Sequence, residues 1–180
     1  MWQSRLHSTS CILLLQVAAI VVDMAGVREV NMARPGENVC VRLAPGARAF
    51  GPGSVMCAGF MPPCFAATSF LADLRILELP EAVPLVTAGF KCILHLHTAV
   101  AECTIDQLLI QVLIHDTGKT KVKHPPFVKS FAQVLVKIDV AVPVAVDTAE
   151  HMPALGHLTL RGHGRTLAFG RVARVLVKKQ

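Results

Sequence analysis

The chain reads as an all-β protein whose second half closes into an antiparallel barrel, and three observations carry that expectation. Apolar residues make up 53% of its 180 residues and charged residues only 17%, which excludes disorder as the general state and demands much buried, β-branched surface. Apolar and polar residues alternate with a period of two in one segment after another, the spacing of a strand with one buried face. Clusters of Pro and Gly punctuate those segments where turns are needed. The length suffices for one domain, or for a small barrel with part of another.

Residues 1–33 show no turn-bounded alternation and stay unassigned. Within them Arg5 and His7 precede the apolar run from Cys11 to Val22, which resembles the hydrophobic region of a signal peptide. The run is too short for a helix to span a bilayer, and no small-x-small cleavage site follows before Asp23; a buried strand or short helix is the competing reading. From Arg34 the grammar changes. Arg34-Pro35-Gly36-Glu37-Asn38 is a turn with Pro and Gly at their preferred positions, and Val39-Cys40-Val41-Arg42-Leu43 alternates as a half-buried strand should. A second cluster, from Ala44-Pro45-Gly46 to Gly51-Pro52-Gly53, precedes a short strand at residues 54–57. Met61-Pro62-Pro63 then breaks the chain, which sets a domain boundary near Cys64: an unassigned segment at 1–33, a partial barrel at 34–63 and a full barrel at 64–180.

In residues 68–79, Phe70, Ala72, Leu74 and Ile76 alternate with Asp73 and Arg75, a two-residue period that selects strand over helix. Similar runs follow at residues 92–98, 103–115, 132–140, 157–161 and 166–177, and six strands with turns between them indicate a closed antiparallel barrel. Leu108, Leu109 and Val112 also fit a helical spacing, but the flanking strands and the following turn select strand there too. No internal repeat is visible.

The formal charge of +6 favours acidic partners, an RNA backbone or an anionic protein face. With no Tyr and one Trp, the aromatic platforms used to stack single-stranded bases are lacking, which argues against sequence-specific RNA reading. Cys11, Cys40, Cys57, Cys64, Cys92 and Cys103 include no Cys-x-x-Cys pair, so they are expected as reduced thiols of a cytoplasmic protein, most of them small buried hydrophobes. Asp116-Thr117-Gly118-Lys119-Thr120 ends like a phosphate-binding loop, yet Leu113 holds the position of its first glycine, and a hairpin turn using Asp116 and Gly118 explains the segment better. Asp23-Met24-Ala25-Gly26 fits Asp-x-x-Gly, a pattern common by chance, and no Asn-Lys-x-Asp motif exists in the chain. GTP binding by this polypeptide is therefore rejected, and no cofactor is expected.

His95 and His97 stand two apart on an expected strand, where both imidazoles would face one side and could grip zinc. A metal-dependent hydrolase built on them is the alternative from a different functional class, but no third or fourth ligand is fixed, and no metal is expected. Cys103 lacks the strained elbow or helix N-terminus that would lower its pKa for nucleophilic work, and no paired carboxylates occur. Lys119, Lys121, Lys123, His124 and Lys129 bracket Pro125-Pro126-Phe127 and form a basic loop.

Several pieces together resemble one family: Pro35-Gly36-Glu37-Asn38-Val39, Ile76-Leu77-Glu78-Leu79-Pro80, Gly89-Phe90-Lys91-Cys92-Ile93-Leu94, His95-Leu96-His97-Thr98-Ala99-Val100, Pro125-Pro126-Phe127-Val128-Lys129, Leu155-Gly156-His157-Leu158-Thr159-Leu160-Arg161 and the run from Gly164 to Val172. They are similar to the carboxy-terminal barrels of the elongation factor 1-alpha class of translational GTPases, and within it to the eukaryotic class-II polypeptide release factor, over about residues 34–177. His-x-His-Thr favours the release factor over elongation factor 1-alpha, with the ribosome-rescue relative close behind.

The resemblance implies a partial second-domain barrel followed by a Greek-key third-domain barrel that docks the class-I release factor, the protein that reads stop codons. It implies that His97, Thr98, Glu102, Thr159, Leu160 and Arg161 lie near that contact, with Arg161 the best single anchor because Arg is enriched among interface hot spots. Against this, Thr159 and Leu160 are also the alternate faces of an ordinary strand. The basic loop with Lys119, Lys121, Lys123 and Lys129 matches in position a basic, proline-containing loop of the release-factor barrel, which implies contact with ribosomal RNA or an acidic protein patch. Members usually carry Arg where His157 stands, Asp where Gly162 stands and two adjacent acids where Ala101-Glu102 stand; these departures weaken an electrostatic interface more than they threaten a barrel. The resemblance implies a non-catalytic binding module, a divergent paralogue or a piece of a longer gene product.

Overall fold

The computed structural model describes residues 3–8, 11–21, 29–34, 36–43, 54–58, 65–115 and 118–176. Two compact units meet at Cys64 and Phe65 in the chain. In the first, β1 (Gln3–Ser8), β2 (Cys11–Val21), β3 (Glu29–Val30), β4 (Cys40–Leu43) and β5 (Val55–Ala58) form one antiparallel sheet. β1 lies between β2 and β5, while β2 also receives β3 and β4. The apolar run that resembles a signal-peptide core is thus a strand, and among the described residues no helix is long and apolar enough to cross a membrane. The turn before β4 takes the form its residues demand. Glu37 N donates to Arg34 O over 3.1 Å, with Gly36 at φ +91° in the third position, where a type II turn needs positive φ.

The second unit contains β6 (Phe65–Ile76), β7 (Val86–Thr87), β8 (Phe90–Leu96), β9 (Ala99–His115), β10 (Gly118–Lys123), β11 (Phe127–Val128), β12 (Gln133–Val146), the single-turn α1 (Pro153–Gly156), β13 (His157–Gly162) and β14 (Arg165–Val175). Its main sheet runs β10-β9-β12-β6-β14-β13-β8, and β8 pairs again with β9, which closes a six-stranded antiparallel barrel. β8, β9 and β12 are sequential neighbours, whereas β6 lies beside β12 and β14 rather than β8. This is a Greek-key arrangement. The six strands counted in the sequence are the six staves.

β10 is an addition to that count. Its Lys-x-Lys pattern carries no apolar alternation, and it pairs only with the far end of β9, from Gly118 opposite His115 to Lys123 opposite Ile110. Asp116 and Thr117, two of the five residues of the phosphate-loop look-alike, lie outside the described residues, but the strands flanking them are antiparallel partners.

The core fills the barrel. Phe70, Leu74 and Ile76 of β6, Leu94 and Leu96 of β8, Ile105 of β9, Val134, Val136 and Ile138 of β12, and Leu160 of β13 are almost fully buried. Their odd or even positions place them inward by the period of two. The alternation slips in β9, where Ala101, Cys103 and Ile105 face inward and the next inward residue is Leu108. Pairing with β12 shifts at the same place: Ile138 faces Ile105 and Lys137 faces Gln107, leaving Asp106 as an extra residue. This β-bulge accounts for the helix-like spacing of the sequence there. Lys137 fixes the bulge, with Nζ 2.8 Å from Asp106 Oδ2, and the two carboxylates of Asp106 and Asp139 raise the Lys137 pKa. At the strand crossings backbones approach closely. A Cβ on Gly170 would run into the carbonyl of Asp73 on the neighbouring β6.

Candidate functional site

The outer wall of β14, β13, β8 and β9 collects most of the residues singled out in the sequence. Register sets two rows across it. Phe169, Thr159, His95 and Val100 are successive partners from β14 to β9, and Thr166, Arg161, Ile93 and Glu102 form the next row. Along β13, β8 and β9 these rows are two residues apart, roughly 7 Å, and neighbouring strands are roughly 4.8 Å apart; on β14 they are three residues apart because a bulge shifts its register with β13. Arg161 and Glu102 therefore flank Ile93 roughly 10 Å from one another, a positive and a negative point on either side of an apolar ridge. Val100 is 62% exposed and Phe169 46%, large apolar side chains at the two ends of the first row.

The hairpin joining β8 to β9 borders this wall. His97 sits at φ +45° in its two-residue turn, a conformation uncommon outside glycine in which His, like Asn and Asp, is enriched. Its ring explains how the position is held. Nε2–H donates to the Ala145 carbonyl over 3.0 Å, and Nδ1 lies 3.1 Å from Thr98 Oγ1, so in the neutral ring the hydroxyl donates to Nδ1. The imidazole thereby ties the hairpin to the far end of β12. At the opposite end of the wall, the turn between β13 and β14 is made by His163 and Gly164 at φ +50° and +74°, both positive as a type I′ turn requires.

Arg161, Glu102 and Lys91 also line a cavity of about 530 Å³, at whose floor lie Cys92 and Cys103. These two thiols face each other across β8 and β9 with their sulfurs 3.4 Å apart. Their hydrogen bond holds the Cys92 thiol below its ordinary pKa and, with burial, pushes Cys103 well above.

Residues 69–173 match the family described as GTP-eEF1A C-terminal domain-like. The chain belongs to that family. Among its relatives, the eukaryotic peptide chain release factor GTP-binding subunit of Kluyveromyces lactis is 34% identical over 82% of this chain and 21% of its own length. Elongation factor 1-alpha of Methanospirillum hungatei is 32% identical over 84% of this chain and 35% of its own. A crystal structure of Sup35 complexed with GMPPNP superposes with a TM-score of 0.78 at 29% identity, covering 97% of this chain and 40% of that one. The chain thus spans between about a fifth and two fifths of the relatives it matches. It is a C-terminal module of the translational GTPase family.

Within this GTP-eEF1A C-terminal barrel, Thr98, Glu102 and Arg161 are exposed and Thr159 is half-buried on the outer wall, with His97 at its border. Leu160 is corrected: it is 1% exposed and packs in the core, because it alternates with Thr159 and Arg161 on β13. The zinc geometry is corrected as well. His95 points out from β8, but His97 follows that strand in a left-handed turn with both ring nitrogens engaged, so the two imidazoles do not share a strand face. Among the described residues no three His, Cys, Asp or Glu side chains gather as metal ligands. The sequence reading missed Ile93, Val100 and Phe169. For Ile93 and Phe169 the signal available was their place on strands already assigned, since large apolar residues on the solvent side of an alternating strand are the anomaly to look for; Val100 fell between the strands expected at 92–98 and 103–115, and β9 begins earlier, at Ala99. Lys121, Lys123 and Lys129 are exposed, the first two on β10 and the third after β11; the side chain of Lys119 lies outside the described residues.

Proposed function

We propose that this module serves translation termination by docking a class-I release factor on the wall of β13, β8 and β9, without itself hydrolysing GTP. The observation that carries the reading is the pair of rows on that wall. In the first strip the exposed Phe169 and Val100 stand on either side of Thr159 and His95, and in the next Ile93 stands between Arg161 and Glu102, a mixture of exposed apolar groups and charges of the kind that specific interfaces use. His97 and Thr98 extend the contact at the hairpin, and Thr159 at the middle of the strip. Support for termination comes from relatives named as release factor subunits and from the His-x-His-Thr sequence at residues 95–98. Elongation is the second reading, favoured by the similarity to elongation factor 1-alpha. The exposed Lys121, Lys123 and Lys129 supply a basic surface for ribosomal RNA or an acidic protein patch. Such work is that of a cytoplasmic protein.

The test is calorimetric titration of the purified chain with a class-I release factor. Arg161→Ala is expected to weaken binding by about 2 kcal/mol or more with an unchanged circular dichroism spectrum. Absence of binding by the parent chain ends the proposal, and equal affinity of the variant removes Arg161 from the contact.

A further inference from the structure

Cys92 and Cys103 are directly opposed on β8 and β9, and docking makes no use of them. Opposed residues of antiparallel strands have Cα separations of roughly 4.5 or 5.5 Å according to pair type. Both values fall inside the roughly 4.4–6.8 Å that a disulfide bridges. The sulfurs, 3.4 Å apart, need to close by roughly 1.4 Å to reach bonding distance, a movement within the reach of side-chain torsions and requiring no shift of strand register. Access exists as well, since both residues line the cavity that also carries the exposed Lys91, Glu102 and Arg161.

We propose that Cys92 and Cys103 are a reversible thiol-oxidation site, closing to a cross-strand disulfide on reaction with a small-molecule disulfide such as oxidised glutathione. Thiolates, not thiols, carry out this attack, and the hydrogen bond from Cys103 favours the thiolate of Cys92. The Cys92 thiolate attacks one sulfur of the small disulfide, whose S–S bond breaks; one thiolate leaves and takes up a proton. Cys103 then loses its proton and attacks the Cys92 sulfur of the mixed disulfide, forming the protein S–S bond and expelling the second small thiol. Two electrons pass from the protein dithiol to the small disulfide, which ends as two thiols. The new bond ties β8 to β9 one residue away from Ile93 and Glu102.

The full chain, equilibrated in glutathione buffers from fully reduced to fully oxidised, is quenched with N-ethylmaleimide and digested with trypsin. Cleavage after Lys91 and Lys119 leaves both cysteines on one peptide, because no Lys or Arg lies between. At oxidising ratios this peptide is expected to carry no alkyl group and to weigh two hydrogens less than the free dithiol, reversibly with dithiothreitol, while the circular dichroism spectrum keeps its β signal. Cys103→Ser is expected to stop at a glutathionyl group on Cys92. Alkylation of both thiols at the most oxidising ratio overturns the proposal, as does bridging of either to another cysteine, or a disulfide confined to samples that have lost their β signal. A Cys103→Ser chain whose Cys92 stays free overturns the assigned order of attack.

Discussion

Leu160 and Arg161 are neighbours in the chain with opposite surroundings. Leu160 is sealed in the barrel beside Leu94 of β8 and Ala168 of β14, its cross-strand partners, while Arg161 stands in solvent beside Ile93. Truncating a buried leucine removes apolar contacts and leaves a cavity, so Leu160→Ala should lower the free energy of unfolding by about 2–5 kcal/mol. Arg161→Ala, with nothing packed over it, should stay within about 0.5 kcal/mol of the parent. Urea unfolding followed by circular dichroism compares the two, and a Leu160→Ala chain as stable as Arg161→Ala would remove the burial argument. The period of two made Thr159 and Arg161 legible as one face and already set Leu160 on the other. His97 was less legible, because nothing in a His-Thr pair announces φ +45° or a bond to Ala145, 48 residues away.

At the scale of the element, β9 shows how a strand can conceal its own period. Its 17 residues serve three partners: β8 beside residues 99–105, β10 beside 110–115, and β12 along the opposite edge. Straight pleating cannot follow both the curved barrel and the projecting hairpin, and bulges add the local bend and twist. One extra residue is Asp106, between Ile105 and Gln107 in the β12 pairing; a second is Leu109. Sequence periodicity registers only the resulting three-residue step from Ile105 to Leu108, and a step of three is what a helix also makes. The bulge leads to a prediction. Deleting Asp106 restores strict alternation from Ala101 to Leu108 and leaves Ala101, Cys103, Ile105 and Leu108 inward, so the shortened chain should still unfold cooperatively, within about 3 kcal/mol of the parent. β13 holds no extra residue: deleting Thr159 there must turn one of Leu158 and Leu160 outward. The cooperative urea transition should vanish in that variant, and its survival, or its loss on deleting Asp106, would contradict the register described here.

At the scale of the molecule, what the sequence could not convey was closure. Counting six alternating segments predicts a barrel, but their order around it is not encoded in any single segment; the resemblance implied the Greek key, and the pairing of β8 with both β9 and β13 realises it. The first two strands were equally hidden, since the apolar run of β2 alternates with nothing polar. In the second unit, each of the six staves has a partner on both sides, which leaves β10 as the one edge strand among the described residues of the main sheet, and the hydrophobic cluster of the described residues runs from Ala67 to Val172. In the first unit, β3, β4 and β5 each have a single partner among the described residues. Residues 65–180 expressed alone should therefore fold into the same barrel. Its amide NMR spectrum should be dispersed and its urea transition cooperative, whereas residues 1–64 alone should self-associate during size-exclusion chromatography. A collapsed spectrum from 65–180 would mean that the barrel draws its stability from the preceding sheet, and that strand closure with its own core is not enough.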